Sequence, residues 1–428
     1  MNFVKKHIES LGETVYSAVH STGLRIFVIP KKGFSKTYAV YGTKFGSINN
    51  HFVPLGSEKD ITVPDGVAHF LEHKMFEQPD GSNAFDLFSK YGANANAFTS
   101  FTNTCYLFSC TKYFDECFEH LLSYVNEPHF TDENIEKEQG IIGQEIRMYD
   151  DDGEWCVMFN MLRALYVNNP VKIDIAGTVE SISQINKDVL YNCYNTYYNP
   201  ANMVVAVAGD VEPERVFEIV DKTIKNTEYG KVTSIYPEEP DAVCQKYIET
   251  KSLVAKPLFQ IGFKDNNLKT GSELLRREIA LKILLRLIAG RSSAFFKENY
   301  ESGLINDTFD TDVMTELSFS CVSFGGECDN PKELKEKLMK ALDKFRETGF
   351  DKAEFERIKK AFYGSFIRTF NNVESVGNLI CRNMLSDVDV MEFPEIYSTI
   401  TVDTMTELLN EVLTEENSAL SVVLPAEE

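Results

Sequence analysis

The sequence lacks any run of eighteen apolar residues, which argues against a transmembrane helix. It lacks paired cysteines: the nine present are scattered from Cys105 to Cys381 with no Cys-x-x-Cys spacing. An odd, unpaired set fits reduced, mostly buried thiols, not a disulfide framework or a Cys-ligated zinc. Positive charge is scarce, with 43 Lys and Arg against 65 Asp and Glu and a formal net charge of −22. That balance argues against nucleic acid, whose phosphates need a basic surface. It could steer basic peptides toward the protein, although acidity also serves solubility alone. The stretch from Met1 to Glu9 turns polar before a signal-peptide core could form. These absences predict a cytoplasmic protein with no membrane segment. Histidine is sparse and one-sided, since all seven lie at or before His129.

Two of those histidines form the most informative stretch, Val67-Ala68-His69-Phe70-Leu71-Glu72-His73-Lys74-Met75-Phe76-Glu77. Positions i and i+4 share one face of an α-helix, so His69 and His73 can address one metal ion. Glu72 lies beside that face, and Val67, Phe70 and Leu71 would hold the helix on a core. His-x-x-Glu-His is the inversion of the zinc-protease motif His-Glu-x-x-His. A catalytic zinc needs a third protein ligand and one open position. His7, His20 and His51 lack a helical context, and His120 and His129 suit surface or core roles better. Glu138 and Glu145 are stronger candidates: seven residues apart, they fall on nearly one face of a predicted helix that starts after Thr131. Such a site brings the pKa of a water to about 7. Glu72 can then act as general base, which gives peptide-bond hydrolysis.

At 428 residues the chain exceeds one ordinary core. Strands are predicted at 24–30, 38–43, 94–100, 104–109 and 203–210, and helices at 84–90, 114–125 and 185–198. A polar loop is expected from Gly46 to Asp65. Composition changes between about Asn226 and Lys256, which gives domains at 1–228 and 251–428 joined by a linker at 229–250. The second half echoes the first. Ile185–Asp188 before the strand at 203–208 is matched by Ile400–Asp403 before Ala419–Leu424, and Gly143–Arg147 by Gly364–Arg368 with Phe366 in the place of Glu145. The copy has no histidine, so one metal site is expected, in the first half.

Residues 20–210 resemble the zinc-bearing half of the M16 peptidases, the inverzincins that include mitochondrial processing peptidase, pitrilysin and insulin-degrading enzyme. The resemblance rests on His69–Phe76, on Glu138…Gly140-Ile141-Ile142…Gln144-Glu145-Ile146, on Ala176–Ile182 and on Tyr197–Met203. It implies an α+β fold of two homologous domains, each an antiparallel sheet with helices packed on one face. It implies Zn2+ on His69, His73 and Glu145, with Glu72 as catalytic base and Glu138 as a catalytic-site carboxylate that orients a ligand. Asn96, Ala97, Phe98 and Thr99 match the substrate-binding edge strand, to which a peptide adds through main-chain hydrogen bonds. The interval from His73 to Glu145 is slightly shorter than usual in the family, which implies a deletion in the intervening loops.

The second half departs from the pattern. Many relatives carry an Arg and, after Gly-Leu, a Tyr that bind the substrate carbonyl and oxyanion. Here Tyr300 and Asn306 stand at those positions. The departure points to a heterodimer in which a paralogous, zinc-less subunit supplies Arg and Tyr, a homodimer being the alternative. The implied function is a zinc endopeptidase of unfolded peptides. The alternatives are a non-catalytic scaffold subunit, or a maturase dedicated to one small peptide.

Overall fold

The computed structural model describes residues 3–225, 230 and 232–426. Residues 226–229 and 231, where the first domain was expected to end and the linker to begin, lie outside the described residues. The first half opens with strands β1 (Val4–Ile8), β2 (Glu13–Val19), β3 (Arg25–Pro30) and β4 (Thr37–Thr43). Strands β5 (His51–Val53) and β6 (Ile61–Thr62) lead to helices α1 (Val67–Lys74) and α2 (Ala84–Lys90). Next come β7 (Asn94–Thr99), β8 (Thr104–Cys110), α3 (Phe114–Val125), α4 (Asp132–Asp150) and α5 (Gly153–Leu165). Helices α6 (Val179–Ile182) and α7 (Lys187–Tyr197), strand β9 (Met203–Gly209), α8 (Pro213–Thr223) and β10 (Thr233–Ser234) complete it. The second half begins with β11 (Tyr247–Ser252), β12 (Leu258–Lys264), α9 (Gly271–Ala289), α10 (Ala294–Glu301), β13 (Asp310–Thr315) and β14 (Ser320–Glu327). It ends with α11 (Pro331–Thr348), α12 (Lys352–Thr369), α13 (Val373–Leu385), α14 (Phe393–Ser398), α15 (Val402–Glu411) and β15 (Ser418–Pro425).

Two compact units result, and neither is a single block of sequence. Unit 1 takes the chain up to Ile146, then Asp174–Ile235 and Phe366–Met391; unit 2 takes Arg147–Ile173, Tyr236–Ser365 and the remainder from Glu392. Unit 1 holds a seven-stranded sheet in the order β1-β2-β3-β9-β4-β8-β7, and unit 2 a five-stranded sheet in the order β11-β15-β12-β14-β13. Every pairing is antiparallel except β3 with β9 and β11 with β15. The five strands of unit 2 therefore repeat the topology of five in unit 1, down to the one parallel pair. The echo between the halves is a repeat of structure. Unit 1 adds the β1–β2 hairpin, which sequence reasoning missed, and a small sheet β10-β5-β6. Strands β5 and β6 fall in the stretch expected to be loop. Strand β11 starts inside the stretch expected as linker, where exposed Glu249, Thr250 and Lys251 hide the alternation of a strand.

The face of each sheet opposite its own half's helices is covered by a helix from the other half. In β4 every residue is buried, as a strand covered on both faces must be. Ala39 and Tyr41 join the core that includes Phe70, Leu121, Leu122 and Val207. Their alternates face α13: Tyr38 donates to Asn378 Oδ1 at 2.7 Å, and a Cβ on Gly42 would lie 2.8 Å from Leu385 Cδ1. In unit 2 the alternation is the same. Leu258 packs with Val157 of α5, and a Cβ on Gly262 would lie 2.6 Å from Met161. So α5, made in the first half, completes the second unit, and α13, made in the second half, completes the first. The connection after α5 is pinned by Glu239, whose carboxylate accepts from the backbone N–H groups of Val167, Asn168 and Asn169 and from Lys264. Among the described residues no helix is long and apolar enough to cross a membrane.

Candidate metal centre

Helix α1 starts at a point fixed by two glycines. Gly66 caps it in the left-handed conformation with φ 86°, and a Cβ there would lie 2.3 Å from the carbonyl oxygen of Ala176. Gly177, with φ +75°, faces the carbonyl of Asp65 in the same way. The Ala-Gly-Thr stretch before α6 is thus the seat of the metal-site helix. Gly66→Ala is expected to lose about 1–2 kcal/mol to the left-handed backbone alone, with the steric conflict added. A denaturant midpoint at the wild-type value would contradict it.

From that seat α1 carries His69 and His73 one turn apart, with ring centroids 4.6 Å from each other. Helix α4 begins with a reciprocal cap: Thr131 Oγ1 accepts from the Asn134 N–H, and Asn134 Oδ1 from the Thr131 N–H. Two and four turns on, it places Glu138 and Glu145 against α1. His69 Nε2 lies 3.7 Å from Glu145 Oε1, and His73 Nε2 lies 3.6 Å from Glu145 Oε2. A tetrahedral ion with bonds near 2.1 Å requires ligand atoms about 3.4 Å apart, so the spacing fits zinc. Among the described residues, these three form the one group of its kind that could hold a metal. The other histidines considered as a third ligand have partners elsewhere. His7 pairs with Thr14, His20 with Thr22 and Asp221, His51 with Asp60, and His120 with the carbonyl of Ala84; His129 is not in the group.

Burial is the main force on the His69 imidazole and, with its neighbour His73, drives its pKa down to about 3, so the ring is neutral as a ligand must be. Burial opposes the charged form of His73 too. The hydrogen bond to Glu138 and the charges of Glu72, Glu138 and Glu145 outweigh it and hold His73 above its ordinary value. His73 Nδ1 lies 2.9 Å from Glu138 Oε1. Glu138 in turn stays below the usual carboxylate range despite burial, held there by His73 and Lys74. Glu72 lies buried beside the cluster, and burial raises its pKa. Thr99 Oγ1 donates to Glu72 Oε2 at 2.6 Å, which partly offsets that rise.

Among the described residues, strand β7, which carries Asn96, Ala97, Phe98 and Thr99, pairs only with β8 and forms the edge of its sheet. Asn96 is exposed, and its Oδ1 accepts from the Ala97 N–H. Ala97, Phe98 and Thr99 are half-buried. In unit 2, Tyr300 is exposed near the end of α10, and Asn306 donates to Glu327 Oε2 at 2.6 Å. Two roles escaped sequence reasoning. Thr99 touches Glu72 as well as belonging to the edge strand, and Lys74 is buried against Glu138. The first has no local signal. The second had one, a lysine inside the apolar run Phe70-Leu71…Met75-Phe76.

Two units of one topology, one of them bearing an inverted His-x-x-Glu-His cluster closed by a glutamate, define the inverzincin class of fold. Residues 50–179 match the family described as Insulinase (Peptidase family M16), and residues 184–362 match the Peptidase M16 inactive domain. The uncharacterized zinc protease YmfH of Bacillus subtilis (strain 168) is 42% identical to this chain, covering 97% of it and 98% of YmfH. The chain belongs to peptidase family M16. Among solved structures, an M16-like peptidase from Alicyclobacillus acidocaldarius is 32% identical and covers 100% of this chain and 99% of its own, with a TM-score of 0.93. Pitrilysin shares the fold at a TM-score of 0.79 and 16% identity; this chain covers 47% of it.

Proposed function

We propose that the chain is a zinc endopeptidase of the M16 type, acting on extended, unfolded peptides. The observation that carries this reading is the buried Glu72 carboxylate set beside the His69, His73 and Glu145 cluster. A subunit that served only as scaffold would need no base next to three converging ligands. His69, His73 and Glu145 would hold the zinc ion, which would supply the Lewis acidity that lowers the pKa of a water and polarises a carbonyl. Glu72 accepts the proton of the attacking water and delivers it to the departing amine. Its burial favours the protonated form that the second step uses, and the Thr99 hydroxyl favours the ionised form that the first step uses. Glu138 holds the Nδ1 side of His73. The open edge of β7 takes the substrate main chain as a further strand, with Asn96 at hand for a side-chain contact.

Thr99→Val tests the role given to the base. Losing a donor to its ionised form raises the pKa of Glu72. The acid limb of kcat/KM is therefore expected to move to higher pH, with a greater loss at mildly acidic than at mildly alkaline pH. An equal loss at both would assign Thr99 to the strand alone.

A paralogous, zinc-less subunit supplies the Arg and Tyr that Tyr300 and Asn306 replace in this chain, a homodimer being the alternative. Supporting this, the beta subunit of mitochondrial-processing peptidase from Caenorhabditis elegans is 28% identical over 45% of this chain. Cleavage of a peptide library by the chain alone and with its co-purifying partner, each with and without chelator, tests both proposals. Chelator-sensitive cleavage that rises about 10²–10³-fold with the partner is expected, the scale of losing one oxyanion donor. Full activity of the single chain would remove the partner from the account, and no cleavage under any condition would remove the peptidase.

A further inference from the structure

Lys74 follows His73 on α1, and its side chain is fully buried. Burying an ammonium is costly, and a buried ion pair is often no more stabilising than apolar residues of the same size. Its neighbours Phe70, Leu71 and Met75 are core residues, so an apolar side chain at 74 would extend their surface without that cost. Stability alone does not account for a lysine here.

Three acceptors surround the ammonium: Glu77 Oε1 at 2.7 Å, the carbonyl of Asn134 at 3.1 Å and Glu138 Oε2 at 3.6 Å. The other oxygen of Glu138, Oε1, faces His73 Nδ1 at 2.9 Å. Glu138 is thus gripped at both oxygens, by the ammonium on one side and the imidazole on the other. His69 has no such anchor, because its Nδ1 is buried without a hydrogen-bond partner among the described residues. Of the two histidines, only His73 has its ring fixed from behind by a side chain.

We infer that Lys74 is a positioning residue for the metal centre: by fixing Glu138 it keeps the proton of His73 on Nδ1 and Nε2 aimed at the point shared with Glu145. The inference rests on the ligand set proposed above. Without the ammonium, the Glu138 carboxylate is free to turn away, the His73 ring loses its acceptor, and the three donor atoms no longer converge in advance. The competing role for Lys74 is a staple between the end of α1 and the start of α4, made through Glu77 and Asn134.

Zinc affinity of the whole chain, measured by competition with a chromophoric chelator, separates the two. Lys74→Met and Lys74→Gln are expected to weaken zinc binding about 10–100-fold, the range for outer partners of metal ligands, and Lys74→Arg to restore most of it. In a Glu138→Gln background the same changes are expected to add no more than about twofold, since both act through one contact. Nitrogen-15 spectra of the zinc-free protein, recorded at a pH high enough for the His73 ring to be neutral, should show His73 as the Nδ1–H tautomer, and a mixture of tautomers in Lys74→Met. Wild-type affinity in Lys74→Met overturns the inference, as does an undiminished loss in the Glu138→Gln background, or a fall in thermal midpoint without a fall in affinity. Should neither neutral variant fold, the wild-type spectrum decides, because an Nε2–H tautomer would rule the arrangement out. His73→Ala is the control for the ligand set: if it keeps zinc, that assignment fails, and if it loses zinc while Lys74→Met does not, only the role of Lys74 fails.

Discussion

Glu72→Gln is expected to bind zinc like the wild type and to cleave peptides about 10²–10⁴-fold more slowly, the range for losing a positioned general base. The geometry makes this variant clean. Glu72 is not among the three converging ligands, and it accepts a hydrogen bond from Thr99 that an amide oxygen can also accept. The substitution keeps the volume and removes only the proton acceptor. Zinc content by elemental analysis and turnover on a fluorogenic peptide are the two readings. Loss of zinc would place Glu72 among the ligands, and unimpaired turnover would take the base elsewhere. A scaffold subunit would keep its role in assembly through the change.

The second large effect concerns the crossed helices. A chain ended at Ile235 contains every predicted metal ligand yet is expected not to fold into unit 1. It lacks α13, which covers the face of the sheet formed by Tyr38, Val40 and Gly42 of β4 and by β9. Within α13, Val373, Val376, Ile380 and Leu385 are buried. Burial of such side chains is worth roughly 1.5–3 kcal/mol each, which makes about 6–12 kcal/mol in all, an upper estimate. A domain's whole stability is of order 5–15 kcal/mol. The fragment should therefore show no cooperative unfolding and no zinc-dependent rise in melting temperature. A sharp transition at the midpoint of the full chain would contradict the account. Gly42→Val is a milder form of the same test, because the new side chain must displace Leu385, Cys105 and Cys381; overpacking of this kind costs about 1–3 kcal/mol.

The candidate metal centre was legible because its parts are local. His69 and His73 lie one turn apart on one helix, and Glu138 and Glu145 two turns apart on another, so helical periodicity alone puts each pair on a face. The order of strands in the sheets was less so. The β1–β2 hairpin carries Lys5, Lys6 and His7 between Val4 and Ile8 on a mostly exposed strand, and so short an apolar pattern does not mark it. The crossing of α5 and α13 left no trace in periodicity. Each is an amphipathic helix, and amphipathy says that a face is buried without saying against which sheet. What marks the crossing is the absence of side chains, at Gly42 and Gly262 in strands otherwise full of large residues, and such an absence is read only once the partner helix is known. Thr99 and Lys74 stand between these cases, being near the motif in space but joined to it by contacts that spacing does not predict.

The crossed arrangement also has a consequence for how the protein is made. All three proposed ligands are in place by residue 145, but the helix that closes their unit ends at Leu385. Ribosomes add about 5–20 residues per second, so roughly 12–48 s of translation separate the appearance of the ligands from that of α13. During that interval the nascent chain carries the proposed ligands on α1 and α4, beside a sheet with one bare face. Unit 1 cannot close until nine-tenths of the chain has been synthesised, and the second unit waits in the same way for β15, the last strand. Vectorial synthesis therefore delays both units to nearly the same moment, and a chain built in this way matures at the end of its own translation.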